Sequence, residues 1–148
     1  MMPDLTPEQS FPAALARLRA ALGDVANGDV AAIKALYSHS DEATSFYGWG
    51  GYEKGWDAVS NRWDWAQQQF RGGTVRHDNV TTVVGAELAL VTDIEMFEVV
   101  MAENAEPSRW TNRVTHVFRF EQGGWRLLHR HANRLEGRYE PAPRLNAR

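Results

Sequence analysis

The chain has no cysteine among its 148 residues. Disulfides and thiolate metal sites are therefore excluded, and the composition suits a reducing compartment. It also lacks any apolar run near the roughly 20 residues that span a bilayer. Its first residues, Met1-Met2-Pro3-Asp4-Leu5, lack the basic and apolar regions of a secretory leader. The reading is a cytoplasmic protein with no membrane partner. Clustered positive charge is missing too: 16 Lys and Arg face 19 Asp and Glu, for a net charge of −3. Nucleic acid, which needs a basic patch, is not an expected partner. Internal repeats and low-complexity segments are absent.

What remains is ordinary globular material, 43% hydrophobic and 24% charged, enough for a single core. Thr6-Pro7-Glu8-Gln9 has the capping-box form with proline at the first helical position. Pro12 argues instead for a start near Ser10, since proline is tolerated only in the first turn. Leu15, Leu18, Leu22 and Val25 then recur at helical spacing. Asn27-Gly28-Asp29 closes that helix and caps a short second one through Val30, Ile33, Leu36 and Tyr37. A short strand is predicted over 43–47. A loop, Gly48-Trp49-Gly50-Gly51, follows it. Trp56, Val59, Trp63, Ala66 and Phe70 mark a third helix with a wide aromatic stripe.

After Gly72-Gly73 the period changes to two. Strands are predicted over 74–84, 87–101, 108–121 and 125–134, bounded by turn residues. Three helices followed by consecutive hairpin strands give an α+β class with an antiparallel sheet. The domain is expected over 10–138. A flexible segment, 1–9, precedes it, and a poorly ordered tail, 139–148, follows.

Parity along the last hairpin is the most informative signal. Phe118 and Phe120 alternate with Arg119, and Trp125 and Leu127 alternate with Arg126, so the aromatic positions face inward. His116 shares the parity of Phe118, and His129 and His131 share that of Leu127. A Gly123-Gly124 turn sets His116 opposite His131, while a Gln122-Gly123 turn sets it opposite His129. Either way three of the five histidines gather on one face, with opposed Cβ atoms roughly 4.5–5.5 Å apart. A three-histidine metal site is conceivable on that register, but no acid stands at a fixed ligand spacing and no metal is expected. On the next strand Val91, Asp93, Glu95 and Phe97 share one face, and Leu90, Thr92, Ile94 and Met96 the other. A sheet apolar on both faces suggests helices on one side and a partner subunit on the other. Arg109, Arg113, Arg119, Arg126 and Arg130 are predicted outward. A bulge beside Arg113 would turn it inward and favour a carboxylate or phosphate on the ligand.

The order of these segments resembles the nuclear-transport-factor-2-like superfamily, and within it the SnoaL-like and ketosteroid-isomerase-like proteins. The matching pieces are Asn27-Gly28-Asp29, Asp41-Glu42-Ala43-Thr44, the glycine-rich loop leading through Lys54-Gly55, and the run from Arg113 to Arg119 with Gly124-Trp125-Arg126 and His129-Arg130-His131. The resemblance spans about Leu15 to Asn133. The closing pattern is also similar to the association domain of calmodulin-dependent kinases. It implies a cone: a strongly curved antiparallel sheet closed by three helices around a pocket, with homodimers formed through the outer sheet face. Ketosteroid isomerase chemistry does not carry over. The position of that family's catalytic aspartate holds Tyr47, that of its oxyanion tyrosine falls near Ala21, and that of its protonated aspartate falls on His116. Tyrosine, with an unperturbed pKa of about 10, is a poor base near neutrality.

SnoaL-like cyclases use an acid–base residue for an aldol-type ring closure. By that resemblance His116, His129 or His131 can act as the acid–base residue, His116 being the first choice, with Glu95 or Asp93 orienting an imidazole. Tyr47, Trp49, Trp63 and Phe118, with His129 and His131, are the expected walls for a planar or apolar small molecule. Two functions follow. One is a cofactor-independent isomerase, cyclase or lyase. The other is a non-catalytic ligand-binding or oligomeric association domain.

Overall fold

The computed structural model describes residues 4–138. The expected tail, 139–148, lies outside them. Helix α1 runs Pro7–Ala26, so it starts ahead of the expected domain boundary at residue 10. The capping box decides this. Thr6 Oγ1 accepts from the Gln9 amide at 3.1 Å, and Gln9 Oε1 accepts from the Thr6 amide at 2.9 Å. Pro12 is accommodated inside the helix on its exposed side. Thr6→Ala is expected to cost about 1 kcal/mol, measured as a lower urea-unfolding midpoint. The opposite side of α1 buries Phe11, Ala14, Leu18, Ala21, Leu22 and Val25.

Asn27 and Gly28 (φ 78°) end α1, and Asp29 Oδ1 accepts from the Ala31 amide at 2.9 Å to start α2, Ala31–Leu36. Two short strands, β1 (Thr44–Phe46) and β2 (Tyr52–Lys54), flank the glycine-rich turn. Helix α3 then covers Trp56–Gln67. Phe70 belongs to the next strand rather than to this helix.

Four long strands follow: β3 Phe70–Val84, β4 Leu88–Met101, β5 Asn104–Glu121 and β6 Gly124–Arg134. β3 begins earlier than predicted because Gly72-Gly73 continues the strand. At Gly73 (φ 152°) a Cβ would collide with the Glu98 carbonyl and with Val99. Only glycine lets β3 cross β4 so closely. The Asn27 side chain donates to the Gly73 carbonyl at 3.2 Å and accepts from its amide at 3.4 Å. It ties the end of α1 to that crossing.

The six strands form one sheet in the order β2-β1-β6-β5-β4-β3. All pairs are antiparallel except β1 with β6. Register shifts in the β3–β4, β4–β5 and β5–β6 pairs bend the strands, and the sheet is strongly curved without closing. The helices pack into its concave side. Phe11 of α1 meets Phe118 and Trp125 edge-on at 5.0 and 5.2 Å, and Trp125 Nε1 donates to the Pro7 carbonyl at 2.8 Å. Among the described residues no helix is long and apolar enough to cross a membrane.

Candidate functional site

The β5–β6 hairpin turns at Gln122-Gly123, with Phe120 opposite Trp125 and Phe118 opposite Leu127. An unbroken register would next set His116 against His129. Instead the pairing shifts between Phe118 and Val117, leaving Leu128 as an extra residue. Beyond this bulge the parity of β6 inverts. His116 faces Arg130, while His129 pairs with Val117 and His131 with Thr115. The expected gathering of three histidines therefore does not form, and Arg130, expected in solvent, is turned inward.

A polar network builds on that inversion. Arg130 is 6% exposed, and Glu95 and His116 are fully buried. Arg130 Nη2 donates to Glu95 Oε1 at 2.7 Å, and Nη1 donates to Oε2 at 3.0 Å. Nη1 also donates to His116 Nε2 at 2.9 Å, which fixes that nitrogen as the acceptor. His77 Nε2, on β3, stands 3.4 Å from Glu95 Oε2, within ionic contact but off hydrogen-bond geometry.

Electrostatics assigns the charges. Burial alone would raise the Glu95 carboxyl, but Arg130 and His77 outweigh it and hold it far below the usual carboxylate range. Burial alone would lower the Arg130 guanidinium, and Glu95 more than restores it. Burial, then the Arg130 charge, push the His116 imidazole well below its ordinary value. The network thus holds an ion pair beside a neutral histidine.

Arg130 is also part of a cavity of about 390 Å³. Its walls are aromatic. Tyr47 and Trp49 from the β1–β2 turn are stacked at 4.9 Å and 11°. Phe97 and Trp110 from β4 and β5 are stacked at 5.1 Å and 15°. Trp63 and Trp65 of α3 and Phe70 of β3 add further rings, and Leu22, Val25 and Met101 add aliphatic surface. The polar lining includes Asn112 beside Arg130, with the exposed Arg109 and Arg134 at the rim. Arg134 lies 5.0 Å from the Trp110 ring centre, within cation–π range. Among the described residues that line this space none is an acid or a histidine. Three of its lining residues carry a buried polar atom with no hydrogen-bond partner: Tyr47 OH, Trp63 Nε1 and Asn112 Oδ1. Burial pushes the Tyr47 hydroxyl up to about 12, so it remains a donor at neutral pH.

The SnoaL-like domain profile matches residues 14–133. The chain belongs to the SnoaL-like family. No curated protein sequence matches this SnoaL-like chain significantly, but solved structures do. A nuclear-transport-factor-2-like superfamily protein of Salmonella enterica serovar Typhimurium is 20% identical. It superposes with a TM-score of 0.78 over 93% of this chain and 96% of its own. A protein proposed to be a scytalone dehydratase, from Novosphingobium aromaticivorans, is 13% identical with a TM-score of 0.69, covering 87% and 84%. A proposed calcium/calmodulin-dependent protein kinase type II association domain of Thiobacillus denitrificans is 20% identical with a TM-score of 0.64, covering 91% and 100%. These likenesses establish the fold of the SnoaL-like protein, a cone of the nuclear-transport-factor-2-like kind.

Within this SnoaL-like cone the expected site residues separate. Tyr47, Trp49 and Trp63 line the cavity. His116 and Glu95 lie behind it, in contact with Arg130. Asp93 faces inward but serves another purpose: its Oδ1 accepts from Arg19 of α1 at 3.1 Å and from Asn79 at 3.0 Å. Phe118 is core, spent against Phe11. His129 and His131 lie on the outer face. His129 Nδ1 shares a 2.8 Å hydrogen bond with Thr44 Oγ1, and both rings stand edge-on to Phe46 at 5.1 Å. No three metal-ligating side chains gather among the described residues.

Sequence reasoning missed Arg130, Asn112, Phe97 and Trp110 as lining residues. Asn112 and Trp110 were within reach, since both share the parity of His116 along β5. For Arg130 the one local sign was the adjacent pair Leu127-Leu128, which breaks the alternation.

Proposed function

We propose that this SnoaL-like protein binds a small flat organic molecule in its cone. The observation that carries this reading is the cavity itself. Ligand sites are concave, mostly apolar, and carry a few convergent polar groups. Here stacked aromatic pairs supply flat walls, while Arg130, Asn112 and Tyr47 supply the polar groups. The test is a thermal-shift screen of small planar compounds, with the best binder titrated against Trp49→Ala. Trp49 is 40% exposed, so its loss should leave the fold intact. Binding is expected to weaken about 3–10-fold, as for one aromatic contact. An unchanged affinity would remove Trp49 from the site.

A second reading draws on His116 Nδ1, which is buried and unpartnered. Unsatisfied groups of this kind occur at catalytic positions. A neutral imidazole could serve an isomerase, cyclase or lyase working without a cofactor. It stands behind Arg130, however, so the proton would have to pass that side chain. The binding reading needs no such movement and is preferred.

The outer face of β4 carries half-buried Ile94 and Met96, which supports a homodimer across the sheet. Light scattering is expected to give twice the chain mass of 16.7 kDa. A larger assembly would favour an association role instead. The absence of cysteine supports a cytoplasmic setting.

A further inference from the structure

We infer that the ligand of this cavity is a planar aromatic or conjugated monocarboxylate. The inference rests on the binding reading above and adds the charge and shape of the ligand.

Charge comes first. Three arginines line the cavity, Arg109, Arg130 and Arg134, and no acid does so among the described residues. Donors outnumber acceptors as well. Besides the arginines, Tyr47 O–H, Trp63 Nε1–H, Ser108 O–H and the amides of Asn112 and Gln69 can donate, and only the amide oxygens of Asn112 and Gln69 are dedicated side-chain acceptors. Arg130 uses three of its five N–H donors on Glu95 and His116, so part of its fork is left for a ligand oxygen. A buried guanidinium of this kind matches the planar, two-oxygen geometry of a carboxylate.

Glu95 limits the charge that fits. Its bidentate bond already offsets the Arg130 cation, and Arg109 is paired with Glu98 at 3.3 Å on the surface. A dianionic phosphate would meet a nearly neutral floor, whereas one negative charge can be satisfied by the remaining donors. Shape follows from the walls. Tyr47–Trp49 and Phe97–Trp110 each present stacked rings, and about 390 Å³ is at the small end of ligand sites. One ring with a conjugated arm is the scale implied.

The experiment follows the indole N–H resonances of the full chain by NMR during titration. The probes are trans-cinnamate, its neutral isostere cinnamamide, and phenyl phosphate. Cinnamate is expected to bind about tenfold or more tighter than cinnamamide, the scale of a charge-assisted hydrogen bond. In the double variant Glu95→Met/Arg130→Met that preference should fall below about threefold.

Equal affinities for cinnamate and cinnamamide in the native protein would overturn the carboxylate class and leave the binding reading standing. Tighter binding of phenyl phosphate would overturn the limit to one charge. A preference retained in the double variant would overturn the role of Arg130. No movement of any indole resonance with any probe would overturn the binding reading and this inference together. The native-protein comparison decides the ligand class even where the double variant fails to fold.

Discussion

Glu95→Ala is expected to destabilise the fold by about 3–5 kcal/mol, the usual effect of stranding one member of a buried ion pair. Arg130 would lose both oxygens that now sit 2.7 and 3.0 Å from its nitrogens. The Glu95 side chain has no exposure and that of Arg130 only 7%, so the pair sits almost wholly out of bulk water. The double variant Glu95→Met/Arg130→Met should recover most of the loss. Removing both charges also removes the desolvation cost of burying them. Urea unfolding of the single and double variants checks this. A loss below about 1 kcal/mol for Glu95→Ala would mean that the pair behaves as a solvated surface bridge.

The second large effect is on acid. His116 has a folded-state pKa depressed by burial and by Arg130. Below an unfolded value of about 6.5 the unfolded chain takes up a proton that the folded state refuses. Stability is therefore complete above that pH and falls as acid is added, by up to about 1.4 kcal/mol per pH unit, until the folded pKa is reached. His129, lowered by partial burial and by His131, acts in the same direction. Glu95 opens a later window. Its carboxyl is also depressed, so its contribution is present above an unfolded pKa of about 4.3 and is lost as pH falls further. In His116→Gln the amide oxygen can still accept from Arg130. The slope between pH 6.5 and about 5 should flatten in this variant and remain steep in the native protein. Unfolding midpoints measured across that range decide the matter; parallel slopes would assign the acid sensitivity elsewhere.

Much of the fold was legible because its signals are local. The Asn27-Gly28-Asp29 junction and the α3 stripe through Val59 and Trp63 each depend on neighbours within a few residues. Alternation also set Asp93 and Glu95 on one face of β4 with Val91 and Phe97, without deciding which face is inward; in the structure both are buried. What escaped was non-local. Nothing near Gly73 in sequence announces that Glu98 and Val99 will pass against it. The expected start of β3, at residue 74, is therefore later than the observed one at Phe70. β5, expected from residue 108, already runs through Pro107. Its partner on one side begins only at Asn112 opposite Arg134, so the missing N–H interrupts no ladder with β6. The site suffered most. Alternation was carried straight across Leu127-Leu128, and each residue beyond it was given the wrong side.

That extra leucine makes the interior chemistry a matter of counting. In a relative one residue shorter between Trp125 and Asn133, the imidazoles of the His-Arg-His triplet would look into the cone and the guanidinium would look out. The letters of the hairpin could be identical. Matching such chains by residue type alone would equate an inward guanidinium with an inward pair of imidazoles. Their hairpins should be aligned from the turn at Gln122-Gly123, gap included, before any function is transferred between them.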